Sequence, residues 1–200
     1  MRLGLYGGTF DPVHLGHLLL AEQCREQLNL DEVWFLPTGN PPHKQGSGIS
    51  PAKARVEMLE IATAGHRGFI VNEMEVEREG TTFTVDTLQQ LHDEDPDRAL
   101  FFLIGADSLS DLPTWREPGR IVQLATVVAV NRGGGPYAEP GQIADAIGSE
   151  AAARIETLSM PGIEISSREI RRCVGDQKSI RYMTPRGVEA YIEQNKMYRE

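Results

Sequence analysis

Cysteine is scarce in this chain. Cys24 and Cys173 are the only two in 200 residues, which excludes a disulfide framework or a thiolate zinc cluster and fits a reducing, cytoplasmic compartment. Long apolar runs are also missing. The longest, 99–106 and 125–130, are too short to span a bilayer, and no signal-peptide core opens the sequence. Nor is there an excess of cations. Twenty Lys and Arg against 29 Asp and Glu leave a formal charge of −9, which argues against broad binding to nucleic acid or anionic membranes. A nucleotide-sized partner remains open, since a few local cations can outweigh a distant negative surface. Several familiar sites are absent as well: there is no G-x-x-x-x-G-K-[ST] loop, no G-x-G-x-x-G in the first turn, no nucleophile elbow and no H-E-x-x-H.

What is present is an alternation of short apolar runs with helical patterns, the signature of βαβ units. The patterning predicts strands at 2–6, 32–37, 69–74, 100–104 and 126–130. Helices are expected near 15–28, 51–63 and 85–92, and from 108 onward to 124. This is an α/β chain with a Rossmann-like parallel sheet covered by helices on both faces. One domain over residues 1–200 is expected, with a C-terminal helical extension from about 166. Ligands of such sheets gather beyond the carboxyl ends of the strands. The loops at Gly7, Thr38, Gly105 and Asn131 should therefore face one crevice.

The first of these loops is the most distinctive. The apolar run 3–6 leads into Gly7-Gly8-Thr9-Phe10-Asp11-Pro12-Val13-His14-Leu15-Gly16-His17, after which His17, Leu20, Ala21, Cys24 and Leu28 recur at helical spacing. Strand, glycine turn and helix start form a place that suits a phosphate, because the first helical N–H groups have no intrahelical acceptor. His14 and His17 fall on one helix face, with Gly16 leaving room between them. A metal shared by Asp11, His14, His17 and His43 is conceivable, but no fourth close ligand is evident.

The second loop, 38–48, is rich in Gly and Pro and carries His43 and Lys44. It is either a solvated surface loop or a segment that brings Lys44 to a phosphate. Ser50-Pro51 reads as an N-cap followed by proline at the first helical position. The charged run 73–78 reads as a solvated strand end or hairpin. Hydroxyls at Thr81, Thr82 and Thr84 either cap the next helix or mark N–H groups that hold a small carboxylate. Asp107, after the fourth strand, suits a ribose hydroxyl or a helix cap equally. Trp115 is either a stacking surface for a flat ring or core. Residues 131–136 read as a flexible connection and 142–155 as a modest amphipathic helix. Ser166 with Glu169 makes a capping box, and the same helix start offers Ser167 and nearby arginines to a phosphate. Thr184-Pro185 is expected to cap a final helix with Val188, Tyr191 and Ile192 on one face.

Taken together, the segments 7–17 (with His14-Leu15-Gly16-His17), 41–44, 82–88, 105–109, 112–116 and 165–171 resemble, in order, those of bacterial nicotinate-mononucleotide adenylyltransferases, members of the H-x-G-H nucleotidyltransferases. The resemblance spans nearly the whole chain. It implies a nucleotidyltransferase-type fold and adenylyl transfer from ATP to nicotinate mononucleotide in NAD biosynthesis, with Mg²⁺ as cofactor mainly through the ATP phosphates. It also implies roles. His14, His17, Lys44 and Arg171 would be catalytic. Gly7, Gly8, Thr9, Phe10, Gly16, Gly105, Asp107, Ser166, Ser167 and Ile170 would join His14, His17 and Arg171 in binding ATP. Lys44, Thr84 and Trp115 would bind the mononucleotide. One position departs from the pattern: Arg168 stands where the family commonly has a small hydroxyl residue, which removes a hydroxyl from the clamp and adds a cation.

Two alternatives compete with this assignment. A phosphopantetheine-type adenylyltransferase would share the histidine motif and a serine-rich clamp, but has no evident use for the segments at Thr82 and Trp115. A noncatalytic adenine-nucleotide sensor would not need cations arranged around a scissile bond. The expected partners are therefore ATP and the mononucleotide, with neither nucleic acid nor membrane, and a homo-oligomer is left open.

Overall fold

The computed structural model describes residues 1–39, 48–131, 133 and 139–199. Six strands, β1 (Arg2–Gly8), β2 (Glu32–Pro37), β3 (Phe69–Val71), β4 (Ala99–Gly105), β5 (Thr126–Asn131) and β6 (Glu156–Ser159), form one sheet in the order β3-β2-β1-β4-β5-β6. Every neighbouring pair is parallel. All carboxyl ends therefore lie along one edge, and the strand order reverses between β1 and β4, where such sheets open a crevice.

Alternation of side chains builds a core on each face of the sheet. Leu3, Leu5, Leu100, Phe102, Ile104, Val127 and Ala129 face one way, against α4 (Thr84–Glu94) and α5 (Pro118–Leu124). Tyr6, Val33, Phe35, Phe101, Leu103, Val128 and Val130 face the other. There they meet α1 (Leu15–Gln27), α2 (Ala52–Thr63), α8 (Ser167–Gly175) and α9 (Arg186–Gln194). The two late helices thus bury Ile170, Val188 and Ile192 in the same core as Leu20 and Met58. No helix among the described residues is long and apolar enough to cross a membrane.

Several expectations need correction. β3 stops at Val71, and 74–77 form a short helix, α3 (Met74–Glu77), because Glu75 turns inward and is buried rather than solvated. The helix expected from 108 begins only at Pro118, after two 3-10 turns. The stretch 142–155 is not one helix. It breaks at Gly148, whose φ of 92° lies in the left-handed region, into α6 (Ala144–Ile147) and α7 (Ser149–Ala153). β6 went unpredicted because it is a polar, largely exposed edge strand with no apolar alternation to reveal it.

The expected caps fare unevenly. Pro51, not Ser50, is the cap of α2, and Phe83 caps α4 without any side-chain bond. Asp107 lies within the 3-10 turn that follows β4 rather than capping it. Pro185 occupies the cap of α9, while the Thr184 hydroxyl donates to the Val13 carbonyl at 2.8 Å. At α8 half of the capping box forms, with Ser166 Oγ accepting from the Glu169 N–H at 3.1 Å. The Glu169 carboxylate turns instead to Arg172, at 2.6 Å.

Candidate active site

The turn after β1 is where the chain gathers its chemistry. Phe10 takes a left-handed φ of 50° and its ring is buried. It stands edge-on to Tyr6 at 5.5 Å and to His17 at 5.1 Å. This ring floors the turn, so any contact of Phe10 with a ligand would come from its backbone.

At the start of α1 the two histidines stack, with centroids 3.6 Å apart and 24° between planes. The backbone N–H of His14 donates to His17 Nδ1 at 3.2 Å, the return half of a capping-box arrangement. Because Nδ1 accepts, the proton of the neutral ring belongs on Nε2. Gly16 makes the stack possible. A Cβ there would sit 3.1 Å from the His14 ring. His14 is buried and His17 half-buried, so His17 is the better placed of the two to reach a ligand.

The start of α8 is brought to the same turn. Ser167 Oγ donates to the Pro12 carbonyl at 2.8 Å, and the Arg171 guanidinium donates to the Asp11 carbonyl. Ser166 occupies the cap beside them, while Ile170 is wholly buried and supports the helix from below. The expected clamp residues therefore assemble over the glycine turn from 155 and 160 residues away. Among the described residues, nothing explains the presence of Arg168.

Across the strand-order reversal, Gly105 ends β4 and Asp107 follows on its 3-10 turn, exposed at the mouth of the crevice. On the flank beyond, Trp115 packs edge-on to Phe102 at 5.9 Å, and Phe102 pairs with Leu5 of β1. Its ring is half-buried, so Trp115 is neither wholly core nor free surface. Arg116 joins this flank to α4. Its guanidinium lies 4.8 Å from the Phe83 ring and 3.6 Å from the Asp86 carboxylate. Thr84, at the first position of α4, thereby shares a side of the molecule with Trp115. Lys44 and His43 lie outside the described residues, and with them the expected closure over the phosphates.

The residues that hold this site together were largely unexpected. Arg55, wholly buried on α2, donates to the carbonyls of Thr9, Thr38 and Ser50 at 2.8, 2.8 and 3.1 Å. One planar guanidinium thus ties the β1 turn, the β2 loop and the approach to α2. Burial pulls its pKa down, while Asp11 opposes that pull. A charged residue within the apolar stripe Val56, Met58, Leu59 was the signal available in the sequence. From the sequence, Asp11 is expected to act at most as a metal ligand. Its buried carboxylate accepts instead from Tyr198 Oη at 2.6 Å and from the Ser50 N–H at 3.1 Å. Among the described residues, no group of three or more His, Cys, Asp or Glu could hold a metal ion.

A second buried carboxyl braces the other flank. Glu75 accepts from the Thr87 hydroxyl at 2.8 Å, and Arg78 donates to the same hydroxyl at 3.1 Å. Burial is the main cause that raises its pKa, against the lowering pull of Thr87 and Arg78. The backbone beside it is pressed closely against the β2 loop. A Cβ on Gly39 would come within 2.3 Å of the Glu75 carbonyl oxygen.

With this geometry in place, comparison with known proteins is decisive: residues 5–173 match the cytidylyltransferase-like family. The chain belongs to that family. A relative from Exiguobacterium sibiricum, named "Probable nicotinate-nucleotide adenylyltransferase", is 44% identical over 198 residues, 99% of either chain. A Thermus thermophilus relative of the same name is 44% identical over 199 residues, all of both chains. The chain is accordingly a nucleotidyltransferase of the nicotinate-nucleotide adenylyltransferase group. Two structures of the Plasmodium falciparum nicotinic acid mononucleotide adenylyltransferase, complexed with APC and with NaAD, superpose with TM-scores of 0.79 and 0.80 at 18% identity. The first covers 98% of this chain and 96% of that one; the second covers 98% and 97%. At that identity the likeness shows the fold alone.

Proposed function

We propose that this enzyme transfers the adenylyl group of ATP to nicotinate mononucleotide, forming nicotinate adenine dinucleotide and pyrophosphate in cytoplasmic NAD biosynthesis. One observation carries the reaction type. The stacked pair at the start of α1, with His17 Nδ1 engaged by the His14 N–H, follows directly on the turn whose Pro12 and Asp11 carbonyls take the Ser167 and Arg171 donors of α8.

The mononucleotide phosphate is already a nucleophile at neutral pH, so no base is required. One of its oxygens forms a bond to the α-phosphorus of ATP as the bond from that phosphorus to the β-bridging oxygen breaks, and pyrophosphate leaves with the electron pair. Two anions must be brought in line, so the protein acts by positioning and by matching charge. His17 would donate to the phosphoryl oxygens, and Ser166, Ser167 and Arg171 would grip the β,γ end. Gly105 and Asp107 would take the adenosine side. Lys44 would close over the phosphates. Mg²⁺ held by those phosphates would offset charge on the departing pyrophosphate.

On the other flank, Trp115 would stack on the pyridine ring while backbone N–H groups at the start of α4, around Thr84, receive the nicotinate carboxylate. An amide would lose that contact. Pyrophosphate release with ATP and Mg²⁺ tests the assignment, with nicotinate mononucleotide, nicotinamide mononucleotide and phosphopantetheine compared as acceptors. The acid should be preferred by kcat/KM over both others. Preference for phosphopantetheine, or ATP binding without release for any acceptor, overturns it.

A further inference from the structure

We infer that Tyr198 is a positioning residue for adenylyl transfer: through Asp11 it sets the phosphate-gripping turn from the segment that follows α9. This rests on the function proposed above. The contact spans 187 residues, and its distance of 2.6 Å from Tyr198 Oη to Asp11 Oδ1 is that of a charge-assisted bond. Asp11 is 2% exposed, so its oxygens depend on protein donors. Tyr198 Oη supplies one and the Ser50 N–H supplies the other.

The position of that carboxylate matters for chemistry. A negative charge on a turn built for a triphosphate would repel it, and burial between Tyr198, Ser50 and the neighbouring Arg55 keeps the carboxylate from being presented to the ligand. The same residue is gripped through its backbone, because Arg171 donates to the Asp11 carbonyl while Arg55 donates to that of Thr9. Side chain and main chain of the turn are thus fixed by separate partners. Displacing Asp11 would carry Arg171, a proposed ATP ligand, with it.

A second, independent feature points the same way. Lys196 and Tyr198 both adopt left-handed backbone, with φ of 52° and 59°, a conformation costly for side chains of this size. Such backbone persists where surroundings over-determine it. Here the Met197 N–H returns to the Ile192 carbonyl and the Lys196 N–H to that of Glu193, which folds the segment back so that the Tyr198 ring enters the protein. Burial then pushes its phenol pKa well up, reinforced by the bond to Asp11. Tyr198 therefore stays a hydroxyl donor.

Tyr191 provides the control. It lies on α9 itself and likewise donates to a carboxylate, that of Glu57 on α2, not to one in the turn. Tyr198→Phe should lower kcat about tenfold while the KM for nicotinate mononucleotide stays within about threefold, and Tyr191→Phe should leave both unchanged. Asp11→Asn with Tyr198→Phe should cost no more in kcat than Asp11→Asn alone, since the two act as one unit. Hydrogen exchange of the amides at 9–14 reads the same coupling without turnover. It should quicken about tenfold in Tyr198→Phe and not in Tyr191→Phe. Unchanged exchange in Tyr198→Phe overturns the inference, as does a loss of kcat that both variants share in proportion to lost thermal stability. Wild-type protein that releases no pyrophosphate would defeat the functional assignment instead, and the exchange result would still decide the role of Tyr198.

Discussion

His17 is the residue on which turnover should depend most. Its Nδ1 is committed to the His14 N–H, so the ring is oriented before substrate arrives and Nε2–H can meet charge as it develops. His17→Ala should lower kcat by about 100-fold, the usual cost of removing one preorganised donor, while the mononucleotide dissociation constant changes by less than about threefold. Steady-state kinetics beside calorimetric titration separate the two. Matching losses in both would show that His17 binds ground state and transition state alike. Gly16→Ala tests the same orientation without touching the imidazole. Its new Cβ would lie 3.1 Å from the His14 ring and force the stack to shift, so kcat should fall while the fold stays intact by circular dichroism.

At the scale of elements, the site is a junction of loops held by a few buried polar groups. Arg55→Met keeps much of the side-chain volume but strands the carbonyls of Thr9, Thr38 and Ser50, all bonded to this one guanidinium. A loss of about 3–5 kcal/mol is expected from leaving buried partners unpaired, measured by urea unfolding. The join between the β2 loop and α3 is sensitive to steric change. Gly39→Ala places a Cβ against main chain at the Glu75 carbonyl, which no rotamer can relieve, and should cost about 1–3 kcal/mol as overpacking does. An unchanged denaturation midpoint in that variant would mean that loop and helix part readily.

For the whole molecule, the buried Glu75 makes stability depend on pH. Its folded pKa is raised above the ordinary 4.5 by burial, so the folded chain holds this proton more tightly than the unfolded one. The contribution of Glu75 is therefore fully present below the ordinary glutamate range and is lost as pH rises through the raised folded value. Glu75→Gln keeps an oxygen to accept from Thr87 and removes the charge. Urea unfolding should show the variant at least as stable as wild type at pH 8, with a flatter dependence between pH 5 and 8. A variant much weaker than wild type at pH 8 would show that the charge itself stabilises the fold through Arg78. What the sequence determined by itself was five of the six strands, the two apolar faces of the sheet and the motif at 7–17, because these rest on local periodicity and on residue types with few alternative uses. Trp115 and the start of α8 were likewise legible as segments. Tertiary structure alone decided how they are held. Arg55, Asp11, Thr184 and Tyr198 act on main-chain groups or carboxylates up to 187 residues away, and such pairings leave no periodic trace in a chain. The same reason undid the expected caps: Thr184 found a better acceptor in the distant Val13 carbonyl than in its own helix, a choice made only once the fold had brought the two together.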